Sequence, residues 1–101
     1  MFHPAAGTVE GMDVRRNTER SRYELVRDGT VIGIADFVER DGRVVFPHTE
    51  ITPSLRGRGL GAILVRRALD DVRRSGKRIV PACWFVAEFV GANPEYADLL
   101  A

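Results

Sequence analysis

The sequence predicts an α+β domain whose mixed central sheet begins antiparallel and ends in a β-α-β crossover. Three observations carry this. Asp28-Gly29 and Asp41-Gly42 separate runs of strand-like patterning, and Asp-Gly is a strong two-residue hairpin signal. Between residues 59 and 75 the apolar period changes from strand-like to helical. A short apolar run at residues 77–82 then follows Gly76. The strands before and after the helix should therefore lie parallel, joined by a right-handed crossover. With 101 residues, 45% of them apolar, the chain is sized for one globular domain with a modest core.

Each element has a local reason. Residues 1–13 are rich in small side chains and read as a flexible tail ahead of a single domain at 14–101. Residues 14–16 read as a short strand and 17–21 as a polar turn. Residues 22–26 alternate, with Tyr23 and Leu25 on one face. Residues 30–39 are apolar on both faces (Val31, Ile32, Ile34, Ala35, Phe37), which predicts a central strand covered on both sides. Residues 43–52 form the next strand, and Pro47 inside it lacks an N–H, so it marks a bulge or an unpaired position. In the helix, Leu60, Leu64, Ala68 and Val72 recur at i+4, and Gly76 ends it as C′ residue. A second helix is expected at 84–90, stopped by Gly91. Asn93-Pro94, as N-cap and N1, starts a last short helix whose Tyr96, Leu99 and Leu100 pack back.

Composition narrows the function. Fifteen basic and 14 acidic side chains leave a net charge of +1, which argues against a nucleic-acid partner. Cys83 is the one cysteine, so neither an intrachain disulfide nor a cysteine zinc cluster can form, and no metal is expected. That cysteine usage and the lack of a basic, apolar leader in residues 1–11 predict a cytoplasmic protein. No apolar run approaches the ~18 residues of a membrane span, so no membrane partner is expected. The arginine density around Arg56 and Arg58 suits a small anionic ligand.

The turn Leu55-Arg56-Gly57-Arg58-Gly59-Leu60-Gly61, set at a helix N-terminus, is built to hold phosphate on backbone N–H groups. It is not a P-loop, because Ala62-Ile63 follows where Lys-Ser/Thr would be required. It is a poor dinucleotide fingerprint, because its glycines are spaced G-x-G-x-G and the next strand ends in Val80-Pro81-Ala82 without a ribose-binding acid. The same glycines also fit a plain turn that lets a helix pack on a sheet. Residues 56–61 resemble the Q/R-x-x-G-x-G/A acetyl-coenzyme A signature of the GNAT acetyltransferase superfamily, matching at Arg56, Gly59 and Gly61. The chain is similar to the minimal single-domain members in particular, through His48-Thr49-Glu50-Ile51, the turn, Pro81-Ala82-Cys83 and Asn93-Pro94-Glu95-Tyr96. The likeness covers nearly the whole domain.

That resemblance implies a GNAT fold, with acetyl-coenzyme A or coenzyme A as cosubstrate. The pyrophosphate would sit on the backbone of Arg56, Gly57, Arg58, Gly59, Leu60 and Gly61. The pantetheine arm would lie along the strand ending near Thr52, bonded by backbone groups of Thr49, Glu50 and Ile51. The acceptor stays unnamed, an exposed amine on a protein being one candidate. The larger members carry two helices where this chain has only residues 17–21, so the acceptor side is expected to be open. His3 and Phe2 in the tail do not clearly compensate.

For acyl transfer, His48 is a candidate general base and Glu50, on the same face unless a bulge intervenes, could orient it or bind the amine. Cys83, at a strand end and a helix start, is a candidate nucleophile whose thiol the helix N-terminus would acidify. His48 and Cys83 come from adjacent strands and could pair. Each also has a plain structural reading: a sheet histidine, an edge carboxylate, a small core thiol. Trp84, Phe85 and Phe89 read as core or crevice wall, and Tyr96 as a candidate donor to the leaving thiolate. Three functions remain: an acetyl-coenzyme A-dependent N-acetyltransferase, a coenzyme A-binding protein with little catalysis, and a small interaction module. The expected assembly is a monomer or weak homodimer.

Overall fold

The computed structural model describes residues 11–101. Its elements run β1 (Met12–Asn17), β2 (Arg22–Arg27), β3 (Thr30–Arg40), β4 (Arg43–Ile51), α1 (Leu60–Ser75), β5 (Arg78–Val80) and α2 (Trp84–Ala92), with 3₁₀ turns at Pro53–Leu55 and Pro94–Leu99. The sheet order is β1-β2-β3-β4-β5. The first four strands are antiparallel and β4 runs parallel to β5 across α1, as the sequence predicts. Both Asp-Gly pairs form tight turns with positive φ at each residue, 50° and 79° at Asp28-Gly29 and 53° and 75° at Asp41-Gly42. Gly76 ends α1 in the left-handed region.

Several boundaries differ from expectation, each for a local reason. The first strand begins at Met12, whose side chain is buried in the core, so the expected tail loses its last residues to the sheet; residues 1–10, with Phe2 and His3, lie outside the described residues. Helix α2 runs through Gly91 to Ala92. It ends at Asn93, whose Nδ2 donates to the Phe89 carbonyl at 2.8 Å. Its Oδ1 accepts from Arg66 Nη2 at 3.0 Å, so the side chain makes no N-cap bond, and the following turn is 3₁₀. Tyr96 and Leu99 are buried as expected, but Leu100 is 39% exposed. It leaves the turn and bridges Ile79 in parallel, extending the β5 edge.

Among the described residues, all the helical cover lies on one face of the sheet. Leu60, Leu64, Val65, Ala68, Leu69 and Val72 of α1 join Tyr23, Leu25, Ala35 and Phe46 in one core with Val86 and Phe89 of α2. The expectation that β3 is covered on both sides is corrected: Ile34 is only half-buried and Val38 is exposed on the other face. That bare face carries cross-strand rows Arg15–Glu24–Ile34–Glu50 and Asn17–Arg22–Asp36–His48. Glu24 is nevertheless only 1% exposed. Arg15 Nε and Arg22 Nε each donate to it at 2.8 Å, and Asn17 Nδ2 donates at 3.1 Å. Burial pushes this carboxyl up, but the three donors outweigh it and hold the pKa at about 2. Folded-over arginine stems thus close part of a face that no helix covers.

Pro47 sits in a bulge, as its missing N–H suggests. Asp36 pairs with His48 and Val38 with Val45, so Phe46 and Pro47 together oppose Phe37. The extra residue resets the alternation. Val44 and Phe46 point into the core, but beyond the bulge Thr49 and Ile51 take that side while His48 and Glu50 emerge on the bare face.

Candidate active site

Strands β4 and β5 part company early. They pair only from Arg43 to Val45 against Arg78 to Val80, and one further link, Cys83 N–H to the Phe46 carbonyl at 2.8 Å, closes the ladder. Past that point β4 has a free edge, which walls a cleft of about 800 Å³. The phase of the β3–β4 ladder decides what the edge offers. Thr52 N–H donates to the Ile32 carbonyl at 2.9 Å, so the alternating bonded pairs are Ile32–Thr52, Ile34–Glu50 and Asp36–His48. The backbone groups of Thr49 and Ile51 therefore face the cleft, and those of Glu50 are spent on β3, which removes Glu50 from the expected backbone ligands. Arg56 Nε donates to the Ile51 carbonyl at 3.2 Å. Among the described residues, the Thr49 carbonyl and the Ile51 N–H have no backbone partner, while the Thr49 N–H faces the Cys83 thiol.

The glycine turn forms the other end of the cleft. Gly57 (φ 80°) and Gly59 (φ 76°) are left-handed, a conformation that costs other residues ~1–2 kcal/mol. Gly59 is the N-cap of α1, and no acidic side chain occupies the first turn. Among the described residues, nothing accepts from the N–H groups of residues 57–62. These unpaired donors lie at and just before the positive end of a sixteen-residue helix. Gly61 serves a different purpose: a Cβ there would meet Phe85 Cζ at 2.7 Å, so its lack of a side chain lets α1 and α2 close on each other. Arg56 and Leu60 line the cleft, whereas Arg58 is exposed outside its walls.

Cys83 is the N-cap of α2 and lies midway along the cleft, half-buried. Its Sγ donates to Thr49 Oγ1 at 3.7 Å. Burial pushes the thiol up, but the N–H groups of Val86, Phe85 and Thr49 and the Thr49 hydroxyl prevail, leaving its pKa below the usual thiol value. His48 Nε2 lies 3.1 Å from Glu50 Oε1, with both side chains about half exposed. The bulge precedes both residues, so the expected shared face holds. Cys83 and His48 do not pair: the first bonds to Thr49 on the core side of β4 and the second to Glu50 on the bare side.

Tyr96 is corrected as a thiolate donor. Its hydroxyl donates to Asp70 Oδ1 at 2.6 Å and accepts from Arg66 Nη1 at 3.2 Å, away from the cleft. Burial and the Asp70 carboxylate raise its pKa. Of the aromatic residues expected in the core or wall, Phe89 is core, Phe85 is wall, and Trp84 is exposed at the cleft. Sequence reading missed the Thr49 side chain and the Glu24 clamp. The first had a signal, a hydroxyl at i+1 from His48 beyond a strand proline; the second depends on side chains from two strands.

Known proteins agree with this geometry. The profile of the GCN5-related N-acetyl-transferase family matches residues 22–99. Protein NATD1 of Homo sapiens is 36% identical over 98 residues, spanning 90% of this chain and 84% of that protein. Protein NATD1 of Bos taurus is 40% identical over 47 residues, a match spanning 46% of this chain and 42% of its relative's length. A solution structure of a GCN5-like protein from Staphylococcus aureus superposes with a TM-score of 0.69, at 15% identity, over 92% of this chain and 91% of the other. The five-strand mixed sheet with its helices is thus the shared fold. The chain belongs to the GCN5-related N-acetyltransferase family.

Proposed function

We propose that this protein is an acetyl-coenzyme A-dependent N-acetyltransferase. The observation that carries the reading is the run of six N–H groups at residues 57–62, unpartnered among the described residues, in a turn that lines the same cleft as the open edge of β4. The first set fits a pyrophosphate and the second fits an amide-bearing arm, so the two ends of the cleft suit coenzyme A. When bound, the cosubstrate supplies an activated thioester. Arg56, tethered to Ile51, keeps a guanidinium beside the phosphate end. The Thr49 carbonyl and the Ile51 N–H would hold the arm in register. Cys83, with its depressed thiol pKa, stands where the arm would end. His48, on the bare side, would take the acceptor's proton at Nε2 or Nδ1, with Glu50 orienting its ring.

A second reading, coenzyme A binding with little catalysis, is favoured by the uncovered sheet face, which provides no floor for an acceptor. Intact-mass measurement after incubation with acetyl-coenzyme A separates the routes. A gain of one acetyl on the wild type, lost in Cys83→Ser, indicates transfer through the thiol. No gain, with coenzyme A binding seen by calorimetry and acetylation of added amines, indicates direct transfer. Binding without acetylation of any amine supports the second reading, and absence of coenzyme A binding removes both.

A further inference from the structure

The sheet has two outer edges, and the chain treats them differently. On the outer side of β5, which is only three residues long, Leu100 bridges Ile79 and Ala101 N–H donates to the Ile79 carbonyl at 3.0 Å. At the opposite end β1 is six residues long and, among the described residues, pairs with β2 alone, without a bulge. Ladder phase decides what β1 offers. Phe37 N–H donates to the Ser21 carbonyl at 3.0 Å, so the bonded pairs between β2 and β3 are Ser21–Phe37, Tyr23–Ala35 and Leu25–Gly33. Arg22, Glu24 and Val26 therefore turn their backbone groups to Asn17, Arg15 and Asp13 of β1. The N–H and C=O groups of Met12, Val14 and Arg16 point outward, and none has a partner among the described residues. Such an edge is a template for a further strand.

The side chains select which strand. Only alternate residues of β1 bond across this edge, so an antiparallel copy of β1 has few registers. With Val14 opposite Val14 of the partner subunit, Asp13 faces the partner's Arg15, and Arg15 faces the partner's Asp13. A shift of two residues either way sets Asp13 against Asp13 or Arg15 against Arg15, and like charges directly opposite are destabilising. Behind the edge, Val14 and Arg16 share a groove with Arg67, Asp70, Asp71 and Arg74 of α1, whose charges cancel. Two such flanks can meet without net repulsion.

We propose that two copies of this chain join through β1, antiparallel about a two-fold axis at Val14, into one continuous sheet with five strands from each copy. The axis is perpendicular to the sheet, so both helical layers lie on one side and both bare faces on the other. Each cleft lies at the β4–β5 end, remote from the seam, and stays open. The interface is independent of what the clefts bind.

Sedimentation equilibrium of the full chain should show a mass that rises with concentration from one chain to two and stops, because the pairing uses the one open edge of each copy. Asp13 is exposed, so Asp13→Arg leaves the fold intact; it opposes arginines at two places in the dimer and should raise the dissociation constant about tenfold. Val14→Pro deletes an outward N–H and none of the β2 ladder, and should abolish association; should it fail to fold, Asp13→Arg decides. Register is read with Val14→Cys in a Cys83→Ser background. At the axis the facing Cα atoms are ~5.5 Å apart, within disulfide reach, so mild oxidation should link the two chains. In either shifted register they are ~8 Å apart, beyond it. A single-chain mass at every concentration overturns the proposal and leaves residues 1–10 as the candidate cover for this edge. A dimer indifferent to Asp13→Arg, or one that does not link through position 14, overturns it too.

Discussion

Replacing Gly61 with alanine tests whether that glycine serves the ligand or the packing of two helices. The position is helical, so alanine meets no backbone strain there and gains up to ~1 kcal/mol of helix propensity, less in a first turn. The new Cβ, however, would stand 2.7 Å from Phe85 Cζ and 3.1 Å from Cε2. Relief requires the ring to move by about 0.7 Å to reach ordinary contact, and insertions of this kind cost ~1–3 kcal/mol. The half-buried ring lines the cleft, so we expect its shift to bring a net loss of about 1 kcal/mol and weaker coenzyme A binding. In a Phe85→Leu background the obstructing ring edge is gone, and Gly61→Ala should become neutral or slightly stabilising. Urea unfolding of the four proteins should therefore give a coupling energy of ~1–2 kcal/mol. Gly59→Ala is the control. Nothing lies within 4 Å of its Cβ, and its cost of ~1–2 kcal/mol comes from φ alone, so it should be additive with Phe85→Leu. Additivity within ~0.5 kcal/mol for Gly61 as well would refute the packing argument.

Three further outcomes are expected. Glu24 has a folded pKa of about 2 against an ordinary 4.5, so its contribution to stability is complete above pH 4.5 and disappears as pH falls toward 2. The full shift corresponds to about 3 kcal/mol, and because the cover is a pair of arginine chains, Arg15 being 58% exposed, we expect about 1–2 kcal/mol; urea midpoints at pH 7 and 3 should fall in wild type and change less in Glu24→Gln. Tyr96→Phe should cost about 1–2 kcal/mol of stability by stripping Asp70 and Arg66 of a shared partner while leaving kcat for acetyl transfer unchanged, and a hundredfold fall in kcat would reinstate the hydroxyl as a catalytic acid. Thr49→Val should slow alkylation of Cys83 near neutral pH by about threefold, since it removes one of the groups that favour the thiolate, and an unchanged rate would mean the helix N–H groups suffice.

Local signals in the sequence were read well and distant ones poorly. The Asp-Gly turns, the i+4 stripe of α1 and its Gly76 stop each depend on a few adjacent residues, and they appear where expected. The glycine turn and Cys83 also reach one cleft as expected, because both sit at the ends of elements whose order was legible. Which face of the sheet the helices cover was not legible. An apolar strand such as β3 predicts two-sided burial from its own residues, but both crossovers advance across the sheet in the same direction and so place their helices on the same side. Tyr96 failed for a similar reason. Its partners Asp70 and Arg66 are 26 and 30 residues away, and nothing local signals that they claim its hydroxyl.

The proline in β4 ties these results together. Read without a bulge, alternation from Phe46 would bury His48 and Glu50 under α1 and turn Thr49 out to the bare face, away from Cys83. The one extra residue at Phe46-Pro47 reverses that, so that a single strand presents different chemistry on its two sides. On the core side, Thr49 and Ile51 meet the thiol and the helix N-termini; on the bare side, His48 and Glu50 meet solvent. Thioester and amine have opposite needs. The first needs a desolvated groove with donors already in place, and the second must arrive hydrated and lose a proton to water or base. Pairing with β5 stops at Val45–Val80, so the free edge of β4 begins at the bulge that sorts the side chains. The sorting of side chains to the two faces of β4 and the end of its pairing with β5 therefore fall at the same residues, which is why Pro47 matters although it carries no reactive group.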